Sequence, residues 1–271
     1  MTAQSPWIEV GALAQAFQRD SHALPVTDGL AGRELHLNLG DRAPVNYQFL
    51  SGGRVRYGGA APCAEDAARI TSIRPDIFLV DHPAEPAAHS ISLVLDLRSG
   101  RALCVTGWLP SRSEALRPMR ERFEAGGPLT AVRATVHTGT IGAGTGAAPF
   151  ARSDELIGLH NRYVYSPHES YDHIYLNRDS YLWHCIRGAE RGLADVDHCQ
   201  TYRITDGLYL FLWCEKVVPT LGLVLIDVDQ RRTDGKIMGY RDQQFAEVVS
   251  FPMGAMITPM GRLHGLPSAD T

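Results

Sequence analysis

The 271 residues contain no apolar run approaching the roughly 18 that a membrane-crossing helix needs. They also contain no basic stripe interleaved with aromatic side chains, and the net charge is −4. The first absence excludes a helical span, and the second argues against a nucleic-acid partner. The opening MTAQSPWIEV has no basic-then-apolar leader and carries Glu9 early, so no secretory signal is expected. Cysteine is scarce. Cys63, Cys104, Cys185, Cys199 and Cys214 are odd in number and form no CxxC, which excludes a zinc ribbon and fits free thiols in a reducing cytoplasm. There is no GxSxG for a serine hydrolase and no HExxH for a zinc protease. The glycine-rich Gly139–Gly146 lacks the Lys-Ser/Thr of a phosphate loop and reads as a linker. Neither an organic cofactor nor a metal is expected.

What is present is strand-like. Hydrophobic residues make up 44% of the chain, enough for one large core or two modest ones. Apolar residues recur at helical spacing only near the start, from Trp7 to Phe17, which predicts a lid or packing helix ending before Pro25. RELHLNL, PVNYQFL, GRVRYGG, ARITSIR and DIFLVDH follow as short strands, and HSISLVLDLRSGRALCVTGW reads as a hairpin turning at Ser99-Gly100. A second amphipathic stretch, Ser113 to Glu124, suggests a short helix that Pro118 interrupts. From Gly126 to Pro149 the chain reads as a connector containing one strand, TAVRATVHT.

The second half repeats the first at an offset drifting from 126 to 132 residues. Leu30-Ala31-Gly32 answers Leu156-Ile157-Gly158, Asn46-Tyr47 answers Asp172-His173, and Tyr57 answers Trp183. Ile77-Phe78-Leu79 matches Leu208-Tyr209-Leu210, and Gly107-Trp108 matches Gly239-Tyr240. A ladder of short strands duplicated at a near-constant offset predicts an all-β fold with minor helices, built as two antiparallel barrels. The expected division is 1–110, a connector over 111–152, and 153–271. Whether the two units meet within one chain or across a homodimer is left open by the sequence.

Ionisable and aromatic residues concentrate in the second unit, which makes it the better candidate for a site. Period-2 alternation puts Tyr171, His173 and Tyr175 on one strand face. Tyr181, Trp183, Cys185 and Arg187 share a second face, and Tyr209, Phe211, Trp213 and Glu215 a third. In the first unit the counterpart of the Trp213–Glu215 segment reads as the plainer Val80-Asp81-His82. Glu215 follows an apolar strand, where burial would raise its pKa toward a working value for acid/base chemistry; pairing with a neighbouring base is the bland alternative. Tyr163 and Tyr165 share a face and could donate to one carboxylate or carbonyl oxygen, although strand aromatics commonly just pack. His173 is a candidate assistant, against the ordinary reading of a satisfied core histidine. His198 is a candidate contact, but alternation sets it on the face opposite Asp197. His168, Glu169, Asp172 and His173 lack regular ligand spacing, so no metal site is predicted.

HIYLN, YLWHCIRGAERGLADVD, LYLFLWCEKVVPTLG and GKIMGY resemble the C-terminal domain of the molybdenum cofactor biosynthesis protein F (MoaF) family. The first half, up to about Trp108, resembles that family's N-terminal domain. The resemblance implies a lipocalin-like (calycin) barrel in each half and says little about a reaction. A fainter resemblance is to phenolic acid decarboxylases, through Tyr163-Val164-Tyr165 and Trp213-Cys214-Glu215. It implies tyrosines that orient a substrate carboxylate and a glutamate that moves a proton. The chain departs from that pattern at GAERGLADVD, where Leu193 and Val196 stand in place of basic residues, with Arg187 and Arg191 on or near the turn.

Together these readings predict a cofactor-independent acid/base lyase, hydratase or isomerase acting on a small conjugated or aromatic acid. Glu215, Tyr163, Tyr165 and His173 would be catalytic. Tyr171, Tyr175, Trp183, Arg187, His198 and Trp213 would contact the ligand. The alternative is a non-catalytic small-metabolite binding protein linked to molybdenum cofactor metabolism.

Overall fold

The computed structural model describes residues 7–59, 62–84, 88–143 and 147–265. The extreme start of the chain and residues 144–146 of the glycine-rich segment lie outside the described residues. The chain divides into two compact units. The first comprises Leu24–Trp108 and Ala134–Ala151; the second comprises the residues before Leu24, Leu109–Arg133, and those from Arg152 onward.

The first unit is an antiparallel barrel of nine strands. They are β1 (Glu34–Asn38), β2 (Val45–Leu50), β3 (Arg54–Gly58), β4 (Pro62–Ala67), β5 (Arg69–Arg74), β6 (Ile77–Ala84), β7 (His89–Asp96), β8 (Arg101–Trp108) and β9 (Arg133–Ile141). Their spatial order is β4-β3-β2-β1-β9-β8-β7-β6-β5. The glycine-rich stretch is therefore only partly a linker, because its beginning is the end of β9, hydrogen-bonded between β1 and β8. Gly139 is required there: a Cβ would fall 1.8 Å from the Asn38 carbonyl oxygen. Tyr47, Phe49, Val80, Leu93 and Leu95 fill this barrel's interior.

The second unit contributes β10 (Ala151–Arg152), β11 (Leu159–Val164), β12 (Ser170–Asn177), β13 (Ser180–Arg187), β14 (Ala194–Thr205), β15 (Leu208–Cys214), β16 (Thr220–Asp227), β17 (Arg232–Tyr240), β18 (Val248–Met253) and β19 (Met256–Arg262). Eight of these close on themselves, because β14 pairs with both β13 and β15 and the path returns through β16, β17, β19, β11 and β12. β10 extends β14, and β18 pairs with β17. Three helices belong to the same unit: α1 (Val10–Gln18), α2 (Arg112–Leu116) and α3 (Met119–Glu124). The stretch expected as one helix from Ser113 to Glu124 is two. Pro118 forces Arg117 into an extended conformation, and Ser111 caps α2 through a reciprocal bond with Glu114.

The repeat is visible in hydrogen bonds. The Gly32 amide donates to the Phe49 carbonyl and the Gly158 amide to the Tyr175 carbonyl, both at 2.8 Å. Tyr57 donates to Asp66, and Trp183 to Asp197, both at 2.8 Å. Ile77 pairs with Asp96, and Leu208 with Asp227. That register makes His82 the counterpart of Trp213 and Ala84 the counterpart of Glu215, a shift from the Val80–His82 match expected from sequence. The first barrel thus has no carboxylate where the second has Glu215.

α1 covers one end of the second barrel. Val10, Leu13 and Phe17 recur at i, i+3 and i+7 and are buried against it. Close docking depends on two glycines. A Cβ on Gly11 would fall 2.6 Å from the Arg241 carbonyl oxygen, and one on Gly239 would fall 2.5 Å from Val10 Cγ2. Inside the barrel, Trp213 occupies space that Gly222 leaves open; a Cβ there would lie 1.9 Å from the indole ring. Gly222→Ala is expected to displace Trp213 and cost about 1–3 kcal/mol. A chemical-denaturation midpoint equal to wild type would show that the ring does not need this glycine.

Candidate functional site

Alternation on the strands of the second barrel turns Tyr163, Tyr171, His173, Tyr175, Tyr181, Trp183, Phe211 and Trp213 into one interior cluster. Near α1 this cluster stops short of filling the barrel. A cavity of only about 30 Å³ remains there. That is room for on the order of two or three waters. Leu13 and Phe17 of α1 close it, with the Phe17 ring 4.8 Å from Tyr165 and 5.7 Å from Tyr171. Trp7 meets Trp183 edge-on at 5.8 Å.

Two carboxyl groups line this cavity. Glu215 lies just past β15, where its amide donates to the Thr220 carbonyl and its Oε1 accepts the Trp213 indole N–H at 3.0 Å. Burial pushes its pKa well above the ordinary carboxyl value, with the charges of Asp197 and Glu190 adding to the shift. The neighbouring base does not neutralise it. Lys216 points away to Asp195 at 2.5 Å and Asp197 at 3.4 Å.

Glu190 is the second carboxyl, and sequence reasoning missed it. It sits in the turn between β13 and β14, in the GAERGLADVD stretch where the decarboxylase pattern has basic residues. Gly188 lets this turn fold inward. It has φ +134°, and a Cβ there would collide with the Glu169 carboxylate at 1.7 Å. Glu169 Oε1 accepts the Ala189 amide at 3.1 Å, which fixes Glu190 over β12. Glu190 Oε2 then accepts the Tyr171 hydroxyl at 3.1 Å. The residue is 8% exposed, and burial lifts its pKa to about 7. A polar residue flanked by glycines in a turn leading into a barrel mouth was the available signal.

The other expected residues separate into two groups. Tyr165, Tyr171, His173, Trp183, Trp213 and Glu215 are brought together around the cavity. Tyr163 and Tyr175 lie deeper and satisfy each other through a 2.6 Å hydroxyl pair, so the expected Tyr163–Tyr165 clamp on one substrate oxygen is not formed. Arg187 is exposed at the end of β13, bonded to the Pro167 carbonyl at 3.0 Å, and His198 is exposed on the outer face of β14. Tyr181 joins the cavity instead. Among the described residues, no hydrogen bond reaches the hydroxyls of Tyr165 and Tyr181 or the imidazole of His173, although all three are buried. Burial holds the His173 pKa down to about 3, with Asp172 opposing weakly, so the ring is neutral at physiological pH.

Asp172 itself faces outward. Hydrogen bonds from Arg162 and His160 outweigh its burial and keep it below the usual carboxylate range. His168 is exposed, so His168, Glu169, Asp172 and His173 do not converge. Among the described residues no cluster of three or more histidine, cysteine, aspartate or glutamate side chains is arranged to hold a metal.

Glu190 carries a sign-definite consequence for stability. Its folded pKa lies above the unfolded value, so between about pH 4.5 and 7 the folded state binds the extra proton and stability falls as pH rises. Glu190→Gln removes that slope. Its denaturation midpoint relative to wild type is expected to rise from pH 4.5 to 8 by the equivalent of about 3 kcal/mol. A difference that stays flat across this window would show that Glu190 titrates normally.

Comparison with known proteins gives concordant results for both units. Residues 5–111 match the model of the MoaF N-terminal domain and residues 150–263 that of the MoaF C-terminal domain. The chain is 40% identical over 260 residues to Protein MoaF of Klebsiella aerogenes, which covers 94% of this chain and 95% of that protein. With a relative of this identity aligned along nearly its whole length and both family domains present in order, the chain belongs to the MoaF family.

Proposed function

We propose that the second barrel is a small-molecule site working by acid/base chemistry without an organic cofactor, as a lyase, hydratase or isomerase. The observation that carries this reading is the convergence of Glu190, Glu215 and two hydroxyls, Tyr165 and Tyr181, that have no hydrogen bond among the described residues, on one aromatic cavity. Near neutral pH, Glu190 is poised both to give and to take a proton. Glu215, whose burial also favours its protonated form, is assigned as the donor. Two acids whose charges repel each other do not ionise together, so one can hold a proton while the other accepts. Tyr165 and Tyr181 supply hydrogen bonds to orient the reacting group. His173 is a neutral hydrogen-bonding wall and not a proton donor.

A passive binding protein is the second reading, including the link to molybdenum cofactor metabolism expected above. The depth to which Phe17 and Leu13 fill the barrel mouth favours it, because such a helix can act as a retaining lid. Either way, any ligand larger than a few waters requires α1 to move outward. Buried free thiols at Cys104, Cys185, Cys199 and Cys214 fit a reducing compartment, and a cytoplasmic location is part of the proposal. Among the described residues, no helix is long and apolar enough to cross a membrane.

The test is a mass-spectrometric screen of small aromatic and conjugated metabolites against wild type, Glu215→Gln and Glu190→Gln, scoring retention and turnover separately. Turnover that falls on the order of 10²-fold or more in either variant while retention persists is the expected result. Retention with no turnover in any form would transfer the assignment to the binding protein.

A further inference from the structure

The cavity of the second barrel has an imbalance that its hydrogen bonds do not relieve. Its lining contains two carboxyl groups, Glu190 and Glu215, and no lysine or arginine. Arg191, beside Glu190 in the chain, is exposed, and the bases next to Glu215 and at the end of β13 are held by other groups. Lys216 Nζ is held by Asp195, Asp197 and the Val196 carbonyl, and Arg187 by the Pro167 carbonyl. A third acid, Glu169, packs behind the Glu190 turn with its Oε2 buried and without a hydrogen-bond partner. The remaining walls are the rings of Phe17, Tyr165, Tyr171, Tyr181, Trp183 and Trp213. Ring faces beside carboxylates, in a space shielded from water, form a binding environment for positive charge.

We propose that this cavity takes a small organic cation: a primary amine, bound as its ammonium, on a compact or aromatic body. The assignment rests on the reading of the cavity as a ligand site and names the class of ligand. The ammonium offers three N–H donors. Glu190, Glu215 and the hydroxyl oxygens of Tyr165 and Tyr181 are acceptors that otherwise lack enough donors. An aromatic body would lie against Trp183 and Trp213 in the space Phe17 vacates once α1 has moved aside. A carboxylate ligand would meet two acids and no counter-cation, so the acid half of the substrate class expected from the sequence is replaced while its aromatic half is kept.

The proposal fixes the sign of a pH effect. The groups facing Glu190 are Tyr171 and Glu169 from β12 and the turn before it, Cys185 from β13, and Glu215 beyond β15. His173 also lines the cavity and is neutral throughout this range, and α1 contributes only the apolar Leu13 and Phe17. An ammonium pairs with ionised Glu190, so binding releases a proton and weakens as pH falls through about 7. A ligand carboxylate would show the opposite trend.

Calorimetric titration of the full chain with three probes of similar shape, benzylammonium, benzyl alcohol and benzoate, tests this directly. Benzylammonium is expected to bind at least about tenfold tighter than benzyl alcohol at pH 8 and to weaken about tenfold at pH 6, with benzoate showing no binding. Glu190→Gln should lower the pH 8 affinity and flatten the pH dependence. Its near-ultraviolet circular dichroism checks that the aromatic cluster is intact, and Glu215→Gln, which replaces a carboxyl oxygen by an amide nitrogen that cannot accept from the ammonium, should also weaken benzylammonium at pH 8 if the first variant fails to fold. Benzoate or benzyl alcohol binding as tightly as benzylammonium overturns the cation assignment and leaves the ligand site standing. Silence from all three probes overturns both.

Discussion

A carboxyl group inside a barrel with no cation beside it cannot hold its charge cheaply, and much of the second unit is arranged around that constraint. Glu215 and Glu190 are each given one neutral donor, the Trp213 indole and the Tyr171 hydroxyl. One neutral hydrogen bond offsets only part of the desolvation cost, so both acids stay shifted toward the protonated form. Acids placed beside a base are treated differently. Asp172 is turned outward to Arg162 and His160, and Asp197 is shared between Trp183 and Lys216. The same sheet therefore keeps its ordinary carboxylates at the surface or beside a base and reserves an unneutralised pair for the cavity.

Duplication made the contrast between the two units possible. The turn at Leu30–Gly32 and its partner at Leu156–Gly158 use matching amide–carbonyl bonds, and the donor–aspartate pairs, half-buried Tyr57–Asp66 and buried Trp183–Asp197, occupy corresponding places. Within that common frame, the first barrel stacks Tyr47 on Tyr57 with ring centroids 5.3 Å apart and bonds Tyr47 to His82. Ala84 stands where the second barrel has Glu215. The exchanges of histidine for tryptophan and of alanine for glutamate, together with Glu190 from the β13–β14 turn, separate the first barrel's interior from one with acid groups left for a ligand.

Closure of the cavity depends on α1, whose attachment is sterically tight but short. Nine residues dock through two glycine contacts and an apolar stripe. A short helix held by side-chain packing and the Gly11 amide's bond to the Arg241 carbonyl can open without unravelling the closed sheet beneath it, because no strand-to-strand hydrogen bond has to break. The ligand site and its access are thus carried by elements of different stability.

The sequence by itself determined the all-β character, the duplication, and the aromatic faces that became the interior of the second barrel. Each follows from local alternation or from an offset that survives small loop insertions. It also located Glu215 beside Trp213, because residues two apart on a strand share a face. It did not reveal Glu190, the Tyr163–Tyr175 pairing or the exposure of Arg187 and His198. Alternation names a face but not the depth along a barrel at which a residue sits, so the Tyr163–Tyr165 clamp was legible as a pattern and absent as a contact. Glu190 reaches the cavity only because Gly188 permits a turn that folds onto Glu169, a contact between residues 19 positions apart in the chain. Only the tertiary structure could decide which acids lie near a base and which do not, since that depends on distances between strands that the order of residues does not encode.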